Sequence, residues 1–213
     1  MGKVSLPTKS GTLVAMCDDE VEDLTLEMLQ VVAGFEGRGR GLANGVRVQF
    51  GWSELTLKHV DGEIVVHEPD FAEDPEGGLR DDVTCTVTVS AAMAGTVQAV
   101  GVVPVDLRFD DALAIAPGCL EEPDLYLLRS APRGENSGWF IGPANAPPGS
   151  EEAGAEFEGR YVWELLHERP ALLAALALPP GYLVLFSGDE MVSVSPPEGE
   201  GENPDAAGGA PAE

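Results

Sequence analysis

Short apolar runs, each halted by glycine, proline or an acidic turn, leave this chain little room for long helices or for a regular strand–helix–strand repeat. Val46–Phe50 alternates apolar and polar residues, and Leu55-Thr56-Leu57 follows Trp52. Asp61-Gly62 is a strong hairpin-turn signal, and Glu63-Ile64-Val65-Val66-His67 is the returning strand. Val83, Cys85, Val87 and Val89 alternate with Thr84, Thr86 and Thr88, the pattern of a half-buried strand with Cys85 as a small buried residue in it. Further short strands are predicted near Val105–Phe109, Leu113–Ala116, Leu125–Leu128, Ser137–Gly142, Tyr182–Phe186 and Met191–Val194.

Helices are few. Asp23 is a plausible N-cap for a helix that carries Leu24, Met28, Val31 and Phe35 on one face and ends at Gly34 and the glycines 37, 39 and 41. Ala91–Val100 reads as a short helix with Met93, Val97 and Val100 inward. Arg160–Glu168 reads as another, packing Tyr161, Leu165 and Trp163, and Pro170 can open a third over Ala171–Ala177. Strands and helices intermix without βαβ alternation, so the expected class is α+β: mostly antiparallel sheet with a few short helices. The expected divisions are a flexible acidic N-terminal segment (1–22), an α+β region (23–129), a second α+β domain (130–195) after the composition shift at Ser130–Asn136, and a disordered acidic tail (196–213) of Pro, Gly, Ala and acid.

The formal charge is −25, from 37 acidic residues against 12 basic ones. Nucleic acid is therefore an improbable partner, because phosphate needs Lys and Arg, and an anionic membrane surface would repel the chain. A basic protein would be attracted and steered to a fast encounter. Solubility alone is the competing explanation of the charge. No apolar stretch has the length of a membrane span or a signal peptide, which makes a cytoplasmic protein the simplest expectation.

The three cysteines, Cys17, Cys85 and Cys119, are widely spaced and form neither a disulfide framework nor a zinc motif. His59 and His67 flank the Asp61-Gly62 turn, and with Glu68 and Asp70 they could meet in a metal site, but two exposed hairpin histidines are the simpler reading. The run Gly37-Arg38-Gly39-Arg40-Gly41 lacks the Lys-Ser/Thr of a phosphate loop. No nucleophile motif is present, and the abundant carboxylate pairs single out no general acid and base. The expectation is a non-enzyme with no catalytic residues, no cofactor and no metal. Trp52, Trp139 and Trp163 each lie in or beside an apolar segment, where a core role competes with an interface role.

The C-terminal third carries more. Asn136-Ser137-Gly138-Trp139-Phe140-Ile141-Gly142 is followed by Tyr161-Val162-Trp163-Glu164-Leu165-Leu166, then Glu168-Arg169-Pro170, Leu173, Ala177-Leu178-Pro179-Pro180-Gly181 and a closing strand. Over about residues 125–195 this resembles the immunity-protein domain family numbered thirty-three of bacterial polymorphic toxin systems. Two departures are the long Pro/Gly-containing loop Ala144–Glu156 and Asn136 where an acid is usual, with Glu135 adjacent. The upstream Phe50-Gly51-Trp52 and Glu68-Pro69-Asp70-Phe71 look like the N-terminal region that some such proteins carry.

The resemblance implies a cytoplasmic binding protein that neutralises a cognate toxin by covering its active or binding surface, with Ser137, Gly138, Trp139, Trp163 and Pro170 as structural motif residues. The toxin partner is expected to be basic, and the contact surface is expected in the acidic loop, at Glu68, Asp70, Glu73, Asp74, Glu76, Asp81 and Asp82, or at a second patch, Asp189 and Glu190. The alternatives are a regulatory or scaffold module unrelated to toxins, or an enzyme with a site built from distant residues.

Overall fold

The computed structural model describes residues 1–36, 41–134, 136–146 and 157–197. The glycine–arginine run at 37–40, Glu135, most of the 144–156 loop and the tail beyond Pro197 lie outside the described residues.

Two six-stranded sheets organise the described residues. The first takes β1 (Gly2–Thr8), β2 (Gly11–Cys17), β3 (Arg47–Phe50), β4 (Ser53–Val60), β5 (Glu63–Asp70) and β6 (Asp74–Arg80), in the order β1-β2-β5-β4-β3 with β6 also paired to β5. The second takes β7 (Ala112–Ile115), β8 (Asp124–Arg129), β9 (Asn136–Pro143), β10 (Glu158–Tyr161), β11 (Leu183–Ser187) and β12 (Glu190–Ser195), in the order β10-β7-β9-β8-β11-β12. Each sheet is antiparallel except for one pair, β2 with β5 and β7 with β9. Around the sheets run α1 (Glu22–Gly34), α2 (Thr84–Val100), the single turn α3 (Leu165–Glu168) and short 3-10 turns, among them 170–175 opened by Pro170. The α+β class read from the sequence is the observed one.

The Asp61-Gly62 turn forms as its chemistry requires. Both residues have positive φ, 51° and 86°, and they join β4 to β5 with His59 opposite Ile64. The N-terminal segment is corrected: it is not a flexible arm, because Gly2–Thr8 and Gly11–Cys17 form a hairpin, β1 and β2, with Leu13, Ala15 and Cys17 buried in the same core as α1. The weak alternation of β1, half-buried on one side only, hid it from the sequence pattern.

In α1 the buried positions are Thr25, Met28, Leu29 and Val32, while Val31 is 50% exposed. The consecutive valines at 31 and 32 fit two helical phases, and packing on β1 and β2 selects the second. The N-cap is Val21, and Asp23 sits in the first turn with Glu22, where negative charge suits the helix dipole.

The largest correction is α2. Residues 83–89 are not a strand; they begin one helix of 17 residues that also contains the predicted 91–100 helix. Valine and threonine disfavour helix by a few tenths of a kcal/mol each. Burial outweighs this, at roughly 1.5–3 kcal/mol for each large apolar side chain. Val83 and Val87 enter the core of the first sheet, and Val89, Met93 and Val97 enter that of the second. A helix buried on two sides has no need of an amphipathic stripe, and α2 carries no charged residue. Gly101, with φ 77°, closes it, its N–H bonding the Val97 carbonyl at 2.9 Å.

The two sheets share contacts beyond α2. Trp52 stacks on Phe71 (centroids 4.8 Å apart), which meets Phe109 edge-on at 5.7 Å. His167 Nε2 lies 2.8 Å from the Phe71 carbonyl oxygen. Trp52 and Phe71 thus belong to the same apolar cluster as the second sheet. The expected boundary between residues 129 and 130 falls inside the second sheet, between the paired strands β8 and β9. The composition shift there marks a strand connection, which needs polar and glycine residues as a linker does. Val105–Phe109, expected as a strand, is an irregular connection, and the helix expected over 160–168 is β10, a 3-10 turn and α3.

Candidate functional site

The Ser-Gly-Trp motif is built into the core. Ser137 Oγ donates to the Ala112 carbonyl at 2.7 Å, tying β9 to β7. Gly138 has φ 82°, and a Cβ there would collide with the Ser130 carbonyl oxygen, so only glycine fits. Trp139, 1% exposed, donates from Nε1 to the Leu176 carbonyl at 2.9 Å. Arg129 lies against it with Cζ 5.5 Å from the ring centroid, itself 1% exposed, donating to the carbonyls of Ser137, Leu176 and Leu178. Its Nη2 is buried without a hydrogen-bond partner among the described residues, and burial pulls its pKa down to about 10. Sequence reading passed over this arginine because it closes an apolar strand, Leu125–Leu128, and nothing local marks it as buried. Pro170 opens the 170–175 turn and Trp163 is half-buried against the same core.

The acidic residues do not form one surface. Glu73 and Glu76 are exposed in the connection into β6 and in its first half. Asp74, also exposed, accepts from the Gly77 N–H at 3.0 Å. Asp70 accepts from the Ala72 N–H and lies 3.8 Å from Arg80. Asp81 is exposed. Asp189 and Glu190 are exposed in the β11–β12 turn of the other sheet, Asp189 lying 3.8 Å from Arg169. The segment expected as an acidic loop, Glu68–Asp82, is largely strand: the end of β5, a turn, and β6.

Glu68 departs furthest from the solvated surface residue expected of it. It is 4% exposed, and its Oε2 accepts from the Thr86 N–H at 2.7 Å. Asp82 Oδ1 accepts from the Thr84 N–H at 2.9 Å and the Thr84 hydroxyl at 2.6 Å. These two carboxyls cap the first turn of α2, which has no side-chain N-cap of its own. Burial pushes the Glu68 pKa up to about 7, with Thr86 opposing. Burial likewise pushes the neighbouring Cys85 thiol up to about 12.

Glu68 also lines a cleft of about 450 Å³ between α2 and the 170–175 turn. Val89, Ala92, Leu166, Ala171, Leu173 and Ala174 give it apolar walls, and Asp18, Asp82, Arg80, Thr84 and Cys85 line it with Glu68. Two other spaces differ in kind. One of about 430 Å³ is lined by Arg47, Glu54, Arg108 and Asp110, whose charges already pair at 3.0 and 2.9 Å. The other, also about 430 Å³, is an apolar space beside Trp52 and Met93.

His59 and His67 do not meet. His59 is paired with Ile64 and His67 with Thr56, which sets them on opposite faces of the β4–β5 ladder. Their ring nitrogens lie against the carbonyls of Leu42 and Val65. Among the described residues no group of three or more His, Cys, Asp or Glu is placed to hold a metal ion, and all three thiols are unbridged. No helix among the described residues is long and apolar enough to cross a membrane.

These features define a two-sheet α+β protein whose sequence motif serves the fold and whose buried carboxyl marks a cleft between the sheets. Comparison with protein-family models describes the C-terminal part more closely: the family model of the Imm33-like domain matches residues 93–195. The match begins in the second half of α2, upstream of the 125 suggested by the motif, and takes in every strand of the second sheet. The other comparisons found no similar curated protein and no similar solved structure.

Proposed function

We propose that this protein is a cytoplasmic immunity protein that neutralises a cognate toxin of a bacterial polymorphic toxin system by binding it and covering its active or binding surface. The observation that carries the reading is the Imm33-like domain over residues 93–195. The net charge of −25 supports a basic partner, because opposite charge raises the encounter rate and excludes like-charged competitors. The exposed carboxylates Glu73, Asp74, Glu76 and Asp81 on one sheet, and Asp189 and Glu190 on the other, are the partner-facing residues of this reading; Asp70 and Asp82 support them from half-buried positions. Binding, not catalysis, is the activity.

The test is growth protection. Toxin domains encoded beside the gene are expressed in a sensitive host with and without this protein, and the purified pair is sized by gel filtration at low and moderate salt. Protection together with a stoichiometric complex that weakens with salt is the expected result. Killing unaffected by the protein, with no complex at low salt, would overturn the reading.

A further inference from the structure

We propose that the cleft between α2 and the 170–175 turn is an anchor site for a lysine or arginine side chain presented by the protein partner. The inference rests on the immunity reading above and names the place where that partner is gripped. Its geometry matches such a side chain from both ends. A long basic residue is an apolar stem with a cationic head. The cleft offers Val89, Ala92, Leu166 and Ala174 to the stem, and the carboxyls of Glu68, Asp82 and Asp18 to the head. At about 450 Å³ it holds one such side chain together with part of its neighbours.

The charges facing Glu68 come from every element packed on it. Asp82 precedes α2, Arg80 ends β6 opposite Glu68, Cys85 and Thr86 belong to α2, and Asp18 follows β2. Three carboxyls therefore face one guanidinium, and Arg80 already lies within 3.8 Å of Asp70. In the space lined by Arg47 and Arg108, Glu54 and Asp110 each pair with an arginine, whereas the three carboxyls of this cleft share Arg80. Among the described residues, the hydrogen bonds that reach the Glu68 carboxyl come from Thr86, and the carboxyl is buried and short of a cation. An incoming ammonium or guanidinium would favour the ionised form, and the displaced proton would leave to solvent.

The probe is n-hexylammonium, a surrogate for the lysine side chain, titrated into the full chain and followed by amide NMR shifts, with hexan-1-ol and hexanoate alongside. The expected result is saturable binding in the range of about 1–10 mM for a ligand of this size. Shifts should centre on Thr84–Thr86 and Ala171–Ala174, with the alcohol and the acid at least about fivefold weaker. Affinity for the ammonium, which stays charged throughout, should rise from pH 6 to pH 8, as Glu68 gives up its proton; that for the alcohol should not. Glu68→Gln should lower ammonium affinity to the level of the alcohol, and Ala171→Leu, which fills the apolar wall, should weaken both. Equal binding of ammonium and alcohol, an unchanged Glu68→Gln variant, or shifts centred elsewhere would overturn the proposal. Such a failure removes the anchor site only, since growth protection tests the immunity reading without reference to this cleft.

Discussion

Arg129 and Trp139, both buried, donate to one acceptor: Nη1 of the arginine and Nε1 of the tryptophan reach the Leu176 carbonyl oxygen at 3.1 and 2.9 Å. The pair binds the end of the 170–175 turn to β8 and β9. Arg129→Met keeps an apolar stem but removes the guanidinium, leaving the carbonyls of Ser137, Leu176 and Leu178 short of donors, a loss expected to be about 3 kcal/mol or more. Trp139→Phe removes one of these bonds and part of the ring, with an expected loss of about 1–2 kcal/mol. Because the two share an acceptor, the double variant should depart from the sum of the singles by more than about 0.5 kcal/mol. Urea unfolding of the four proteins measures this; strict additivity would contradict the shared-carbonyl geometry.

Gly138→Ala should be among the most damaging small substitutions. The new methyl group would meet the Ser130 carbonyl oxygen, and the residue would be held at φ 82°. A loss of about 2–4 kcal/mol in unfolding free energy is expected. Gly188→Ala, also at positive φ but with open space around its Cβ, should cost about 1 kcal/mol. A comparison of thermal midpoints decides between collision and conformational strain alone.

Stability should fall as the pH rises through the range that titrates Glu68. Its pKa is near 4.5 when unfolded and about 7 when folded, so the folded state holds the extra proton and its favourable contribution is complete below pH 4.5 and lost by about pH 7. Glu68→Gln, neutral and of the same shape, escapes that loss. The variant should be more stable than the parent at pH 8, by at most on the order of 3 kcal/mol, with the gap closing towards pH 4.5. Urea midpoints at pH 5 and pH 8 test it; a variant less stable at both would mean that the carboxylate itself is needed to cap α2.

Thiol reactivity should follow burial. Cys85 and Cys119, pushed by burial up to about 12 and about 11, carry almost no thiolate at pH 8, and Cys17 is fully buried. Ellman's reagent at pH 8 should react slowly with the native protein and release three equivalents of chromophore in urea, matching the three cysteines of the sequence. A thiol that reacts in the native protein within seconds would contradict the packing around it.

If exposed carboxylates steer the partner, Glu73→Lys with Glu76→Lys should lower the association rate about tenfold at low salt and much less at high salt, leaving the melting temperature within about 2 °C. Stopped-flow mixing with the cognate toxin is the measurement. Asp189→Lys, on the other sheet, applied in the same way ranks the two patches; no salt-dependent effect from either would remove steering from the account.

The sequence by itself determined the local events. Asp61-Gly62 fixed a hairpin because its backbone conformation is intrinsic to those residues. Pro170 marked the start of a helical segment, although the helix expected over Ala171–Ala177 is the 3-10 turn 170–175; the alternation in β4 and β5 was legible because each strand has one buried face, and the motifs spread over about residues 125–195 together carried the resemblance to the immunity-domain family. What only the tertiary structure decided is where burial comes from two directions or a partner comes from far along the chain. The stretch Val83–Val89 has the composition and period of a strand, and became a helix because two separate cores bury its valines and Glu68, 18 residues before Thr86, caps its first turn. Glu68 itself stands in an acidic stretch and was read as solvated; the packing of α2 over β5 buries it, and with that the cleft comes into being. Arg129 was silent for the same reason: its acceptors, Leu176 and Leu178, are 47 and 49 residues away, and no local pattern can record a hydrogen bond of that span.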